Sequence, residues 1–154
     1  MEEQTTGCLV CGAPLEYFPS QIEMECTYCH KTFMSNARCV NGHFICDSCH
    51  EQMGLRVIED ICRHTDSKDP VAIMKKIILS PYIYMHGPEH HVLVGSALLA
   101  AYKNAGGELD LDAALEEMRN RGAQVPGGIC GLWGTCGAAV STGIFCLLYT
   151  SPSP

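Results

Sequence analysis

Cys8-Leu9-Val10-Cys11, Cys26-Thr27-Tyr28-Cys29 and Cys39-Val40-Asn41-Gly42-His43-Phe44-Ile45-Cys46-Asp47-Ser48-Cys49 place eight metal-ligand side chains in four regular pairs within the first 49 residues. Cys8/Cys11, Cys26/Cys29 and Cys46/Cys49 are C-x-x-C, and Cys39/His43 is C-x-x-x-H. Two cysteines so spaced can put both sulfurs about 2.3 Å from one ion, because the tight turn between them aims the side chains together. A lone C-x-x-C could be a redox dithiol, but four pairs in so short a stretch read as metal sites. They provide for two tetrahedral ions with no ligand left over. Large apolar residues are sparse here (Leu9, Leu15, Tyr17, Phe18, Ile22, Phe33, Phe44). Metal ligation must then supply most of the folding free energy of this segment.

Between the first two pairs, Leu15-Glu16-Tyr17-Phe18 and Ile22-Glu23-Met24-Glu25 read as two short strands around a turn at Pro19-Ser20-Gln21. Gly12, just after Cys11, lets the chain turn back with positive φ. This is the layout of a zinc ribbon. The following Cys39–His50 stretch is similar to the Cys-His-Cys-Cys core of RING-type fingers, with Cys39 and His43 more widely spaced than is usual there. Two wirings are open. Sequential wiring groups Cys8/Cys11/Cys26/Cys29 and Cys39/His43/Cys46/Cys49, whereas cross-braced wiring joins the first pair to the third and the second to the fourth. A ribbon complete in itself favours the sequential form. Four protein ligands per ion make both sites closed, hence structural, with two Zn²⁺ as the expected ions. Asp47 and His50 are read as supporting or helix-capping residues rather than ligands.

Composition narrows the class further. The chain has 154 residues, 11 cysteines and a formal net charge of −7. Met1-Glu2-Glu3-Gln4-Thr5-Thr6-Gly7 has neither the basic nor the apolar region of a signal peptide. A reducing, cytoplasmic setting and thiolate–metal chemistry are expected rather than a disulfide scaffold. The apolar run from Val92 to Tyr102 is too short for a bilayer, which needs about 20 residues. Within the first 50 residues, Lys31 and Arg38 face Glu2, Glu3, Glu16, Glu23, Glu25 and Asp47. Phosphate neutralisation supplies most of the affinity for nucleic acid, so this balance argues against a nucleic-acid partner.

Past the last pair the periodicity becomes helical. The expected helices run from Asp47 or Ser48 to about Arg63, from Asp69-Pro70 to Ser80-Pro81, and from Glu89 to about Asn104. A fourth begins at Asp110 or Asp112 and ends at Gly122, and Thr135 caps a last one from Cys136 to about Leu147. The third, with Val92, Leu93, Ala97, Leu98 and Ala101, is the most apolar and is placed at the centre of the core. The predicted fold class is α+β: a small two-zinc ribbon module over residues 1–50, then an all-α Cys/Gly-rich domain over 51–147. Residues 148–154 are read as a non-native tail resembling sequencing-adapter read-through, which would leave the helical domain truncated.

Gly127-Gly128-Ile129-Cys130-Gly131-Leu132-Trp133-Gly134-Thr135-Cys136-Gly137 puts two cysteines in a glycine-rich run entering a helix. Exposed N–H groups and a helix start favour thiolate at Cys136. His86-Gly87-Pro88-Glu89-His90-His91 precedes the apolar helix, and its histidines suit a metal or proton-transfer role. Cys130, Cys136, His86 and His90 are therefore candidates for a second centre, redox-active or holding iron or an iron–sulfur cluster. Cys62 with His64, and Cys146, read as filler. No nucleophile elbow, P-loop or dinucleotide fingerprint is present, so the residues name no reaction.

The ribbon, the Cys39–His50 stretch, the His86–His91 run and the Gly131–Ala139 segment together resemble an uncharacterised domain family of anaerobic bacteria and methanogenic archaea. Its members sometimes stand beside a methyltransferase domain. The Cys/Gly segment is more distantly similar to redox-active proteins with a Gly-Cys-Ala motif. The resemblance implies a metal or redox context and a protein partner such as a methyltransferase. Family members continue with a further Gly- and Cys-rich stretch that this chain lacks.

Overall fold

The computed structural model describes residues 7–84 and 87–150, leaving aside the side chains of Tyr149 and Thr150. It is mixed α+β, with strands β1 (Leu15–Glu25) and β2 (Thr32–Cys39) followed by helices α1 (Asp47–His64), α2 (Pro70–Ile78), α3 (His90–Asn104), α4 (Leu111–Gly122), α5 (Ile129–Trp133) and α6 (Gly137–Thr150). Its contacts divide the chain into two compact units, Met1–Met53 and Gly54–Pro154.

The first unit corrects the expected hairpin. Leu15–Phe18 and Ile22–Glu25 are not partners but parts of one strand, β1, which pairs antiparallel with β2 from Leu15↔Cys39 to Glu25↔Thr32. The turn signal Pro19-Ser20-Gln21 is absorbed as a bulge: the register slips between Tyr17 and Ile22, which pair with Ala37 and Ser35. Proline cannot donate to a ladder, so a bulge is where a strand tolerates it. The reversal instead falls at the second cysteine pair. There His30 N–H donates to Cys26 O (2.9 Å), Cys26 N–H donates to Lys31 O (2.9 Å), and His30 itself adopts φ 57°. Little apolar surface is buried here. Among the described residues of this unit, the buried ones are Met24, His50 and the cysteines Cys8, Cys26, Cys39 and Cys46.

The second unit has a conventional core. Ile58 and Cys62 of α1, Ile73 and Ile77 of α2, Leu93 and Leu99 of α3, Leu115 and Met118 of α4, and Ile144 of α6 form one buried cluster. Asp69 caps α2 by accepting from Val71 N–H at 2.8 Å, and Asp110 caps α4 by accepting from Ala113 N–H at 3.2 Å, as sequence chemistry predicts. Proline at the first turn of α2 fits its fixed φ. The last helix runs to Thr150, past the expected end at Leu147 and into the segment read as a tail. Residues 151–154 of that segment lie outside the described residues. The short α5 lies within the glycine-rich run that precedes the last helix. It forms because Gly128 and Gly134, both left-handed, start and stop a single turn.

Helix α3 is buried on almost every side because small residues let its neighbours close in. A Cβ on Gly95 would stand 2.5 Å from Met118 Sδ and 2.7 Å from the Ser141 carbonyl oxygen, and Gly95 N–H donates to Ser141 Oγ at 2.8 Å. Asn104 Nδ2, at the far end, donates to the carbonyls of Thr65 (2.7 Å) and Ser67 (2.9 Å) and ties down the α1–α2 link. Gly95→Ala is expected to destabilise the helical unit by about 1–3 kcal/mol despite alanine's better helix propensity, because overpacking outweighs it. Urea unfolding followed by circular dichroism checks this, with Gly143→Ala, also inside a helix but with nothing within 4 Å of its added Cβ, as the comparison expected to stabilise by up to about 1 kcal/mol.

Candidate metal centres and a thiol-lined cleft

The hairpin's two ends gather the eight ligands into two groups. Cys8, Cys11, Cys39 and His43 form one, and Cys26, Cys29, Cys46 and Cys49 the other, each with all ligand atoms within 4.8 Å of one another. This is cross-braced wiring and replaces the sequential wiring favoured above. The cause is β1. Strand β1 runs alongside all eight residues of β2 and so carries the chain roughly 25 Å from the first pair before the second is reached; those two pairs cannot share an ion. Strand β2 then returns Cys39 to the level of Leu15, beside the first pair.

Backbone bonds hold this arrangement. Cys8 N–H donates to Ala13 O (2.8 Å), Gly12 N–H to Cys8 O (2.7 Å), and Val40 N–H to Pro14 O (3.1 Å), seating the Cys39 turn on the first knuckle. At the other end Thr27 N–H donates to Phe44 O (2.7 Å) and Phe44 N–H to Thr27 Oγ1 (3.3 Å), drawing the Cys46 segment onto the second knuckle. Phe44 also lies against Phe33, their ring centroids 6.3 Å apart.

The spacings suit tetrahedral ions. Metal–sulfur and metal–nitrogen bonds of about 2.3 and 2.0 Å imply tetrahedral edges of about 3.8 Å between sulfurs and about 3.6 Å from sulfur to nitrogen. Cys11 Sγ–Cys39 Sγ is 3.5 Å, Cys29 Sγ–Cys46 Sγ is 3.8 Å, and Cys8 Sγ–His43 Nδ1 is 3.7 Å. Backbone donors also face the sulfurs: Val10 N–H to Cys8 (3.4 Å), Asn41 N–H to Cys39 (3.3 Å) and Cys46 N–H to Cys26 (3.3 Å). Asn41 Nδ2 adds a donor to Cys11 Sγ at 3.5 Å. Its role escaped the sequence reading, although Asn41-Gly42 between ligands is a turn signal in its own right. Both groups could hold metal ions such as zinc.

The thiols are split in acidity. The Ala13 backbone donor, followed by the Asn41 side chain, lowers Cys11 to about 6. For Cys26 burial pushes upward, but the backbone donors of Cys29, Cys46 and Tyr28 outweigh it and hold it near about 6. Burial raises Cys39 and Cys46 and, with crowding by neighbouring thiols, pushes Cys49 up to about 12. Cys39, Cys46 and Cys49 therefore keep their protons at neutral pH when no metal is bound. Asp47 and His50 fall in the first turn of α1, Asp47 exposed and His50 buried with its N–H on Cys46 O (3.0 Å).

In the helical unit, His90, Cys130 and Cys136 line one cleft of about 640 Å³ with His91 and several glycines. His86 lies outside the described residues. Cys136 directly precedes α6, and its carbonyl accepts from Val140 N–H at 3.0 Å. Gly137 lets α6 approach α3: a Cβ there would stand 2.8 Å from His91 Cδ2 and 3.6 Å from His90 Cβ. His90 Nε2 lies 2.8 Å from the Tyr84 carbonyl, an acceptor only, so Nε2 carries the proton and Nδ1 the lone pair. Tyr84 is held in turn by Glu89, a buried carboxylate that accepts from Tyr84 N–H at 3.0 Å. Cys62 is sealed in the core and pushed up to about 12 by burial, while Cys146 is exposed on α6. Among the described residues no disulfide forms. No described helix is long and apolar enough to cross a membrane.

A family model covers residues 58–154, more than half of the chain. The chain belongs to DUF5714, a family of unknown function. The match takes in the thiol-lined cleft and leaves the two ligand groups of the first unit outside it. No curated protein and no solved structure matches the chain significantly.

The wiring predicts a definite pattern of metal loss. Cys11→Ser with Cys39→Ser should cost one ion of two, as each single substitution does, whereas Cys11→Ser with Cys29→Ser should cost both. Native mass spectrometry counts the ions; sequential wiring requires the Cys11/Cys39 pair to lose two and the Cys11/Cys29 pair one.

Proposed function

We propose that the first unit is a two-zinc module whose ions are structural, and that the working centre of the chain is the thiol-lined cleft of the helical unit. The observation that carries the first part is that each group already supplies four protein ligands, leaving no position for substrate. Zinc is the metal chosen because Cys₃His and Cys₄ are its usual structural donor sets. Ligands are also most of what this unit buries, so coordination stands in for a core and contributes on the order of 10 kcal/mol per site. The second part rests on thiol and imidazole groups sharing one accessible cleft, in keeping with a redox or metal-binding centre.

A second reading is a non-catalytic adaptor that presents a surface to a partner enzyme such as a methyltransferase. It is favoured by Leu132 and Trp133 of α5, which stand 78% and 73% exposed. Leu132→Ser with Trp133→Ser should abolish capture of a host partner under this reading and leave thiol chemistry intact. Cys130→Ser with Cys136→Ser should do the reverse.

Chelation tests the structural role. A strong chelator at neutral pH should remove two zinc ions and unfold residues 8–49, while the helical signal of the second unit persists. The pH dependence follows from the raised thiols. Cys39, Cys46 and Cys49 are protonated at neutral pH both in the unfolded chain, where a thiol sits at about 8.5, and in the folded arrangement, where burial raises them. These protons must leave on binding, so zinc affinity falls as pH falls and ions are shed on acidification. Competition titrations against a chromophoric chelator at several pH values measure both the slope and its sign.

A further inference from the structure

We infer that the cleft of the helical unit is an open, exchangeable site for one thiophilic divalent metal ion, bound by Cys130 Sγ, Cys136 Sγ and His90 Nδ1. This deepens the reading of the cleft as a thiol centre and rests on it. The imidazole is already oriented as a ligand: Nε2–H is spent on the Tyr84 carbonyl at 2.8 Å, which leaves the Nδ1 lone pair for a metal. Buried Glu89 holds Tyr84 N–H at 3.0 Å and so acts as a positioning residue for His90. Its carboxylate lies where a Cβ on Gly87 would be, so glycine at that position is what admits it.

The donor count selects the ligand class. Two thiolates, a neutral imidazole and a divalent ion sum to zero charge, which suits a cleft walled by glycine backbone and apolar atoms. An iron–sulfur cluster of the common all-cysteine kind asks for four thiolates. Cys146 is ten residues beyond Cys136, roughly 15 Å along α6, and Cys62 is sealed in the core, so the cleft offers two. Three protein donors leave one tetrahedral position for water or substrate, unlike the closed sets on the hairpin.

The three donor atoms are not drawn together within 4.8 Å as they stand among the described residues. Cys130 rides on α5, whose exposed flanking Gly128 and Gly134 are both left-handed and give the chain backbone freedom at each end of the turn, with Ile129 as its buried anchor. Metal binding would carry Cys130 inward and release two protons, one from each thiol.

The test is anaerobic equilibrium dialysis of the reduced, two-zinc full-length chain against cobalt(II), with metal analysis and absorption spectra. The expected result is a third ion with a thiolate-to-cobalt charge-transfer band. It should be absent in Cys130→Ser and in Cys136→Ser, and at least about tenfold weaker in His90→Ala. Retention of the two zincs and an unchanged helical signal in each variant show that folding is intact. Equal cobalt uptake by wild type and variants overturns the proposal. So does the absence of a third ion from wild type. If Cys130 and Cys136 are nevertheless alkylated faster than Cys146, the thiol-centre reading survives without the metal; if they are not, both fall.

Discussion

Two four-residue groups able to hold a metal ion, one at each end of a single hairpin, are the constraint on which the first unit depends. A two-stranded sheet is marginal in water, and this one has Tyr17, Phe33 and Met34 exposed along it. Its ends are where structure accumulates: four of the six described residues it buries are ligand cysteines. Each proposed ion joins a knuckle before or within the hairpin to a segment after β2, so the ions close long loops as well as local turns. The backbone bonds from Val40 to Pro14 and from Thr27 to Phe44 show the polypeptide already shaped for that wiring.

The helical unit rests on different physics. Its core is aliphatic and continuous, with α3 surrounded by α2, α4 and α6. Gly95 and Gly137 let α6 lie against α3 at backbone distance, and the same approach sets Cys136 beside the histidines at the start of α3. Packing and placement of the chemistry are therefore one event. The polar network on α1 and α4 is a separate matter: buried Glu59 accepts from Arg63 (3.1 Å) and forms an ion pair with Arg119 (3.2 Å), and Arg63 also meets Asp112 (2.7 Å). Two guanidinium groups on one carboxylate satisfy a charge that burial would otherwise penalise, which reads as support for the helix pair.

Much of this was legible in the chain. Cap chemistry at Asp69 and Asp110 gave the starts of α2 and α4, and the apolar density of Val92–Ala101 put α3 at the centre. Regular spacing picked out the eight residues that the fold gathers into two groups able to hold a metal. What spacing cannot carry is which pairs meet, since that depends on strand pairing tens of residues apart. Pro19-Ser20-Gln21 looks like a turn in isolation, and only tertiary pairing with β2 turns it into a bulge. The reversal at Cys26–Lys31 was masked because its residues were already assigned to metal. In the cleft, Glu89 was noted only as a neighbour of the histidines. Its burial and its hold on Tyr84 come from the chain folding back across Gly87, which no periodicity announces.

The central claim, cross-braced coordination, is tested most directly by replacing both ions with cadmium-113 and recording cadmium–proton correlation spectra of the full chain. Each cysteine's β-protons couple only to the ion its sulfur binds. The account predicts one cadmium resonance coupled to Cys8, Cys11 and Cys39, with His43 on the same ion, and a second coupled to Cys26, Cys29, Cys46 and Cys49. A resonance coupled jointly to Cys8, Cys11, Cys26 and Cys29 would contradict it.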